Sequence, residues 1–243
     1  MNRRDLLLLL GAGVASASCA EQSLSVSGRP GRFTARPHPP AANGKPGLFP
    51  LHLGDSRDGL VYVPCSGTLP LVVLLHGAGG VASRVIEHYR DRADEFAFII
   101  LAPESRGATW DVIHGQFGDD IRFIDAALDR VFNQDSVDPH HVGIAGFSDG
   151  ATYALSAGIG NGDLFTHIIA FSPGFAAPAA QIGRPRIFIS HGTEDTILPI
   201  DRCSRRIVPN LRRAHYDVEY EEFRGPHIVP RDIAHRAFTW FEK

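Results

Sequence analysis

The sequence predicts one α/β domain: a mainly parallel β-sheet covered by helices on both faces, with no sizeable cap. Three observations carry this expectation. Continuous apolar runs alternate with stretches of helical periodicity from residue 69 to the carboxyl end, the pattern of repeated strand–helix units. One apolar run, Val142-Gly143-Ile144-Ala145, passes straight into Gly146-Phe147-Ser148-Asp149-Gly150 and then into a helix-compatible run. Finally, 243 residues with 44% hydrophobic and 21% charged content suit a single globular core.

Taken in order, residues 48–53 and 60–63 read as short strands, and 69–75 as a strand buried on both faces. Residues 82–96 place Val85, Ile86, Tyr89, Ala93 and Phe96 on one helical face. A second buried strand at 98–102 precedes a helix at 119–132 that carries Ile121, Ile124, Leu128 and Val131. The strand before Ser148 and its helix follow, then strands at 167–172 and 186–190. Residues 199–214 form a helix with a kink expected at Pro209. A strand at 218–223 and an amphipathic helix at 230–241 close the domain. Only residues 173–185 separate two of the late strands. That segment holds Gly174, Pro178, Gly183 and Pro185, and cannot form a multi-helix cap. An open cleft walled by Trp110 and Phe175 is therefore expected, without interfacial activation.

The amino terminus reads differently. Arg3 and Arg4, an apolar run at 6–14 and small residues at 15–20 form an export signal, too short for a membrane span. Residues 21–47, rich in Pro, Gly, Ser and Ala, read as a linker, leaving 48–243 as the domain. The implied destination is the periplasm or the exterior, by the general secretory or the twin-arginine route. Cys19 stands where a lipoprotein is lipidated, and would then anchor the chain to a membrane. Of the other cysteines, Cys203 shares an apolar helix face with Ile207 and Leu211, which favours a free thiol over a bridge to Cys65. A net charge of −3 and the lack of a Lys/Arg run argue against a nucleic-acid partner.

The chemistry concentrates just after the strand runs, where open α/β sheets bind ligands. Ser148 stands at the apex of a Gly-x-Ser-x-Gly turn between strand and helix, the nucleophile-elbow pattern. His76-Gly77-Ala78-Gly79-Gly80 follows the strand at 69–75, and its glycine-rich backbone can offer N–H groups to an oxyanion. The expected donors are the N–H groups of Ala78 and Asp149. His76 itself suits a structural hydrogen bond better than a base. Glu194 and Asp195 compete for an acid role on the loop after 186–190. His227 lies between the last strand and the last helix, within reach of the elbow. Nucleophile, acid and base in that chain order are the order of the α/β-hydrolases.

From about residue 60 to 241 the chain resembles the esterase/phospholipase-carboxylesterase and feruloyl esterase branch of that superfamily, including relatives of polyhydroxybutyrate depolymerases. The resemblance rests on Leu75-His76-Gly77-Ala78-Gly79-Gly80, the Ser148 elbow, His191-Gly192-Thr193-Glu194-Asp195 through Pro199, and Gly225-Pro226-His227. It implies that Asp195, the fifth residue of the His-Gly-x-x-Asp stretch, is the acid. It also implies serine ester hydrolysis through an acyl-enzyme, on a small-molecule or polymeric ester. No metal or organic cofactor is required. A peptidase or acyltransferase is the rival within the same chemistry, and a catalytically silent binding protein is the rival outside it.

Overall fold

The computed structural model describes residues 31–40, 44–54 and 56–243. Its strands are β1 (Gly47–Pro50), β2 (Gly59–Val63), β3 (Leu69–Leu75), β4 (Ile99–Pro103), β5 (Val137–Phe147), β6 (His167–Phe171), β7 (Arg186–Gly192) and β8 (Val218–Phe223). They form one sheet in the order β1-β2-β4-β3-β5-β6-β7-β8. β1 and β2 pair antiparallel to their neighbours, while every pairing from β4 to β8 is parallel.

The helices are α1 (Ala82–Phe96), α2 (Asp119–Gln134), α3 (Asp149–Gly160), α4 (Ser204–Arg213) and α5 (Arg231–Phe241). Alternation along β3 divides the core in two. Leu71, Val73 and Leu75 join the cluster that buries α2, α3 and α4, while Val72 and Leu74 join the one that buries α1 and α5. The strand is apolar throughout because both its faces are covered. Since β3, β5, β7 and β8 run parallel, their carboxyl ends open at one edge of the molecule. Among the described residues the connection from β6 to β7 contains no helix, and none of them forms a large cap over that edge.

The linker reading needs correction. Residues 31–36, placed within a 21–47 linker on composition, are docked on the domain. Phe33 is buried with its ring edge-on to Phe165 at 5.6 Å. Its N–H donates to Asn161 Oδ1 at 2.9 Å, and Asn161 Nδ2 donates to the Gly31 carbonyl at 2.7 Å. Asp125 on α2 accepts the N–H groups of Thr34 and Ala35 at 2.7 and 2.9 Å. Arg32 and Arg36 share Asp163, each at 2.7 Å. Side chains about a hundred positions away thus satisfy a backbone with no ladder of its own. The domain therefore begins before residue 48. The export signal at 1–20, Cys19 and the rest of the linker up to residue 30 lie outside the described residues.

Smaller differences lie at element ends. The first strand stops at Pro50 rather than 53, and β5 extends back to Val137, with a register irregularity between Leu69 and Leu71. α4 starts at Ser204, five residues later than expected, and contains Pro209. Cys203 is buried and Cys65 exposed, and both thiols are free.

Candidate active site

The site begins with backbone geometry. Ser148 adopts φ 57° and ψ −120° between β5 and α3, a conformation that costs a residue with a Cβ roughly 1–3 kcal/mol. The surrounding chain enforces it: Ser148 N–H donates to the Phe171 carbonyl, and its own carbonyl accepts from Thr152 N–H, both at 3.0 Å. The flanking glycines serve close approach rather than positive φ. A Cβ on Gly146 would sit 2.4 Å from the Gly150 backbone, and one on Gly150 would sit 2.4 Å from the Leu75 carbonyl oxygen. β5, α3 and the end of β3 can cross so tightly only without those side chains.

Ser148, Asp195 and His227, each at a different strand end, meet there. His227 Nε2 lies 2.8 Å from Ser148 Oγ, and Nδ1 lies 2.6 Å from Asp195 Oδ2. A carboxylate only accepts, so Nδ1 carries the proton and Nε2 is left to accept from the serine hydroxyl. Asp195 Oδ1 is held by the N–H groups of Ile197 and Leu198 at 2.9 and 2.8 Å. Burial pushes this carboxyl upward, but those N–H groups and His227 outweigh it, and Asp195 lies below its ordinary range. Glu194 points away, to an exposed ion pair with Arg224 at 2.9 Å. His191 approaches Asp195 Oδ2 at 3.2 Å. Its Nε2 also donates to the Leu198 carbonyl at 2.8 Å, while Nδ1 pairs with Ser204 Oγ at 2.7 Å. Burial lowers its pKa, which favours the neutral ring.

The glycine-rich loop after β3 lies against the elbow. Gly79 N–H and Gly80 N–H are occupied by the carbonyls of Ala108 and Gly77, at 2.7 and 3.0 Å. Among the described residues the Ala78 N–H has no such partner. Asp149 opens α3, where the first N–H groups lack intrahelical acceptors. His76 is structural: Nε2 accepts from Ser105 N–H at 3.0 Å and Nδ1 donates to the Gly77 carbonyl at 2.7 Å. With both nitrogens engaged and burial lowering its pKa, it has no proton-accepting position left.

Trp110 requires a correction. It was expected to wall the cleft, but it is 0% exposed. Its Nε1 donates to the His76 carbonyl at 2.8 Å and its ring packs on His76 and Tyr153. Its loop is a buttress instead, with Thr109 Oγ1 donating to Asp149 Oδ2 at 2.6 Å. Phe175 is 37% exposed but borders hollows shared with Gln181 and Phe117, away from the one that meets His227. Sequence reasoning missed Asp120, which accepts the N–H groups of Arg106 and Asp111, both at 2.6 Å, and so shapes the buttress. Nothing local in the sequence marks it. His191 is visible in its motif, but the motif alone does not show its contact with Asp195.

No family model matches the chain. NocK of Nocardia uniformis subsp. tsuyamanensis, named as a candidate esterase, is 26% identical over 146 residues, which is 56% of this chain and 42% of NocK. The chain thus matches less than half the length of that relative. Two solved structures superpose broadly. S-formylglutathione hydrolase FrmB of Staphylococcus aureus has a TM-score of 0.67 at 16% identity, covering 86% of this chain and 99% of its own. A ferulic acid esterase of Anaeromyces mucronatus has a TM-score of 0.61 at 18% identity, covering 80% and 88%. The fold is that of the α/β-hydrolases.

In this α/β-hydrolase fold His227 borders a hollow of about 580 Å³. Ala78, Gly80, Ile228 and Val229 line it, together with Val85 and Tyr89 of α1. Phe147 packs its ring against His227, centroids 4.6 Å apart, which limits imidazole rotation.

Proposed function

We propose that the protein is a serine carboxylic-ester hydrolase. The reading is carried by one observation, the unbroken chain from Ser148 Oγ to His227 Nε2 at 2.8 Å and from His227 Nδ1 to Asp195 Oδ2 at 2.6 Å. His227 removes the hydroxyl proton as Ser148 attacks the ester carbonyl. Asp195 holds the imidazole in the required tautomer and stabilises the imidazolium. The oxyanion of the tetrahedral intermediate is received by the N–H groups of Ala78 and Asp149, near the positive end of α3. His227 then protonates the leaving alcohol, and water repeats the sequence on the acyl-enzyme.

The reading is supported by the likeness to proteins named as esterases and hydrolases, and by the uncovered strand ends, which suit bulky esters of the carboxylesterase, phospholipase or feruloyl type. The test pairs two measurements on the purified protein. A fluorophosphonate probe should label Ser148 at one equivalent, and a panel of nitrophenyl, feruloyl and polyester substrates should be hydrolysed. Labelling with turnover of amides alone would make the protein a peptidase. No labelling would end the serine-hydrolase reading.

A further inference from the structure

We propose that the hollow lined by His227, the partner of Ser148, takes an ester arm that is apolar along its length and anionic at its far end, and that Arg84 selects it. The proposal rests on the esterase reading above and adds the substrate class.

The hollow is unbalanced in charge. Its inner surface is apolar, formed by Val85, Tyr89, Phe147 and Val229, and no acidic side chain lines it. Arg84 and His88 also line it, one helical turn apart and both exposed. Residues four apart stand on the same side of a helix, so both present donors to one occupant.

Arg84 is also unpaired. The two later arginines of α1 are each matched within the helix, Arg90 with Asp94 and Arg92 with Glu95. Among the described residues Arg84 has neither a hydrogen bond nor an ion pair. It lies in the first turn of α1, which contains no acidic residue, where the helix dipole disfavours a cation. Glu104, which caps this end, is engaged by the Ala82 N–H at 3.1 Å and by Arg57 at 3.8 Å. An incoming carboxylate or phosphate would meet the Arg84 guanidinium. A volume of about 580 Å³ is ample for the apolar part of such an arm.

Two matched pairs of esters test this. The first is 4-nitrophenyl hydrogen suberate against 4-nitrophenyl methyl suberate, which differ only in charge on the acyl arm. The second is the butyrate ester of 4-hydroxyphenylacetic acid against that of its methyl ester, which places the charge on the alcohol arm. In one pair the anionic member should lead by about tenfold in kcat/KM at low salt, and the lead should shrink as ionic strength rises. Arg84→Gln should bring that ratio to about one, and Arg84→Glu should invert it. Structural damage would lower both members together and leave the ratio in place. Hydrolysis of all four esters with no charge preference, or a preference that survives Arg84→Gln, would overturn the proposal and leave the esterase reading standing. Absence of hydrolysis together with absence of fluorophosphonate labelling would remove both.

Discussion

His191 Nε2 and His227 Nδ1 converge on the same carboxylate oxygen, Asp195 Oδ2, at 3.2 and 2.6 Å. One imidazole is wholly buried and bound on both nitrogens, and the other faces Ser148. The buried ring therefore helps set where the carboxylate points, and through it the orientation of His227. On the proposed mechanism His191 is a positioning residue.

Replacing it should lower kcat rather than raise KM. His191 holds the Leu198 carbonyl, and Leu198 N–H holds Asp195 Oδ1; loss of such a neutral hydrogen bond is worth about 0.5–1.5 kcal/mol, so His191→Phe should reduce kcat roughly 3- to 10-fold. His191→Gln, which can still donate, should recover part of the loss. Steady-state kinetics with a pH–rate profile would check this, and equal rates for both variants would refute the role.

Ser148 should separate activity from stability. Ser148→Ala should cost about 10⁴–10⁶ in kcat with little change in melting temperature. Ser148→Gly should be equally inactive yet more stable than Ser148→Ala by roughly 1 kcal/mol, because glycine relieves the strained φ of 57°. Urea titration of the two variants side by side would detect the difference.

The adjacent acids should behave oppositely. Asp195→Asn should lose on the order of 10⁴ in kcat by presenting the wrong imidazole tautomer. Glu194→Gln breaks only an exposed pair with Arg224 and should stay within about twofold of the parent. Measured kcat values in the reverse ranking would move the acid to Glu194.

Acid stability should report on His167, far from the site at the amino end of β6. Its Nε2 is buried with no partner among the described residues. Its ring is packed against His141, Trp240 and Phe241. Burial first, then the charges of Arg186 and His141, lower its pKa from 6.5 to about 4. The unfolded chain therefore binds the proton more readily. His167 contributes stability in full above pH 6.5, and that contribution drains away as pH falls towards 4. Urea midpoints of the parent protein should drop between those limits, and His167→Phe should drop less over the same interval. Parallel declines would show that other groups control the acid limb.

Much of the arrangement was legible because it depends on local pattern. The apolar run of β3, the periodicity of α1 and the four motifs at strand ends could each be read without knowing what they touch. Trp110 could not be read that way. Its place depends on the His76 carbonyl 34 positions earlier and on Tyr153 43 positions later, and a tryptophan on a loop near a site looks the same buried or exposed. The segment around Phe33 failed for a related reason. Proline and glycine content signals the lack of regular structure, and an irregular strap pinned by Asn161, Asp125 and Asp163 has the composition of a free linker.

That strap also gives the molecule a direction. Gly31 and Arg32 bind at Gly160 and Asn161, the end of α3 opposite Ser148. α3 has 12 residues, so the two points are separated by about 18 Å of helix. The polypeptide enters the domain from underneath, with the strand ends at the top. A substrate approaching the strand ends therefore meets no part of residues 31–36.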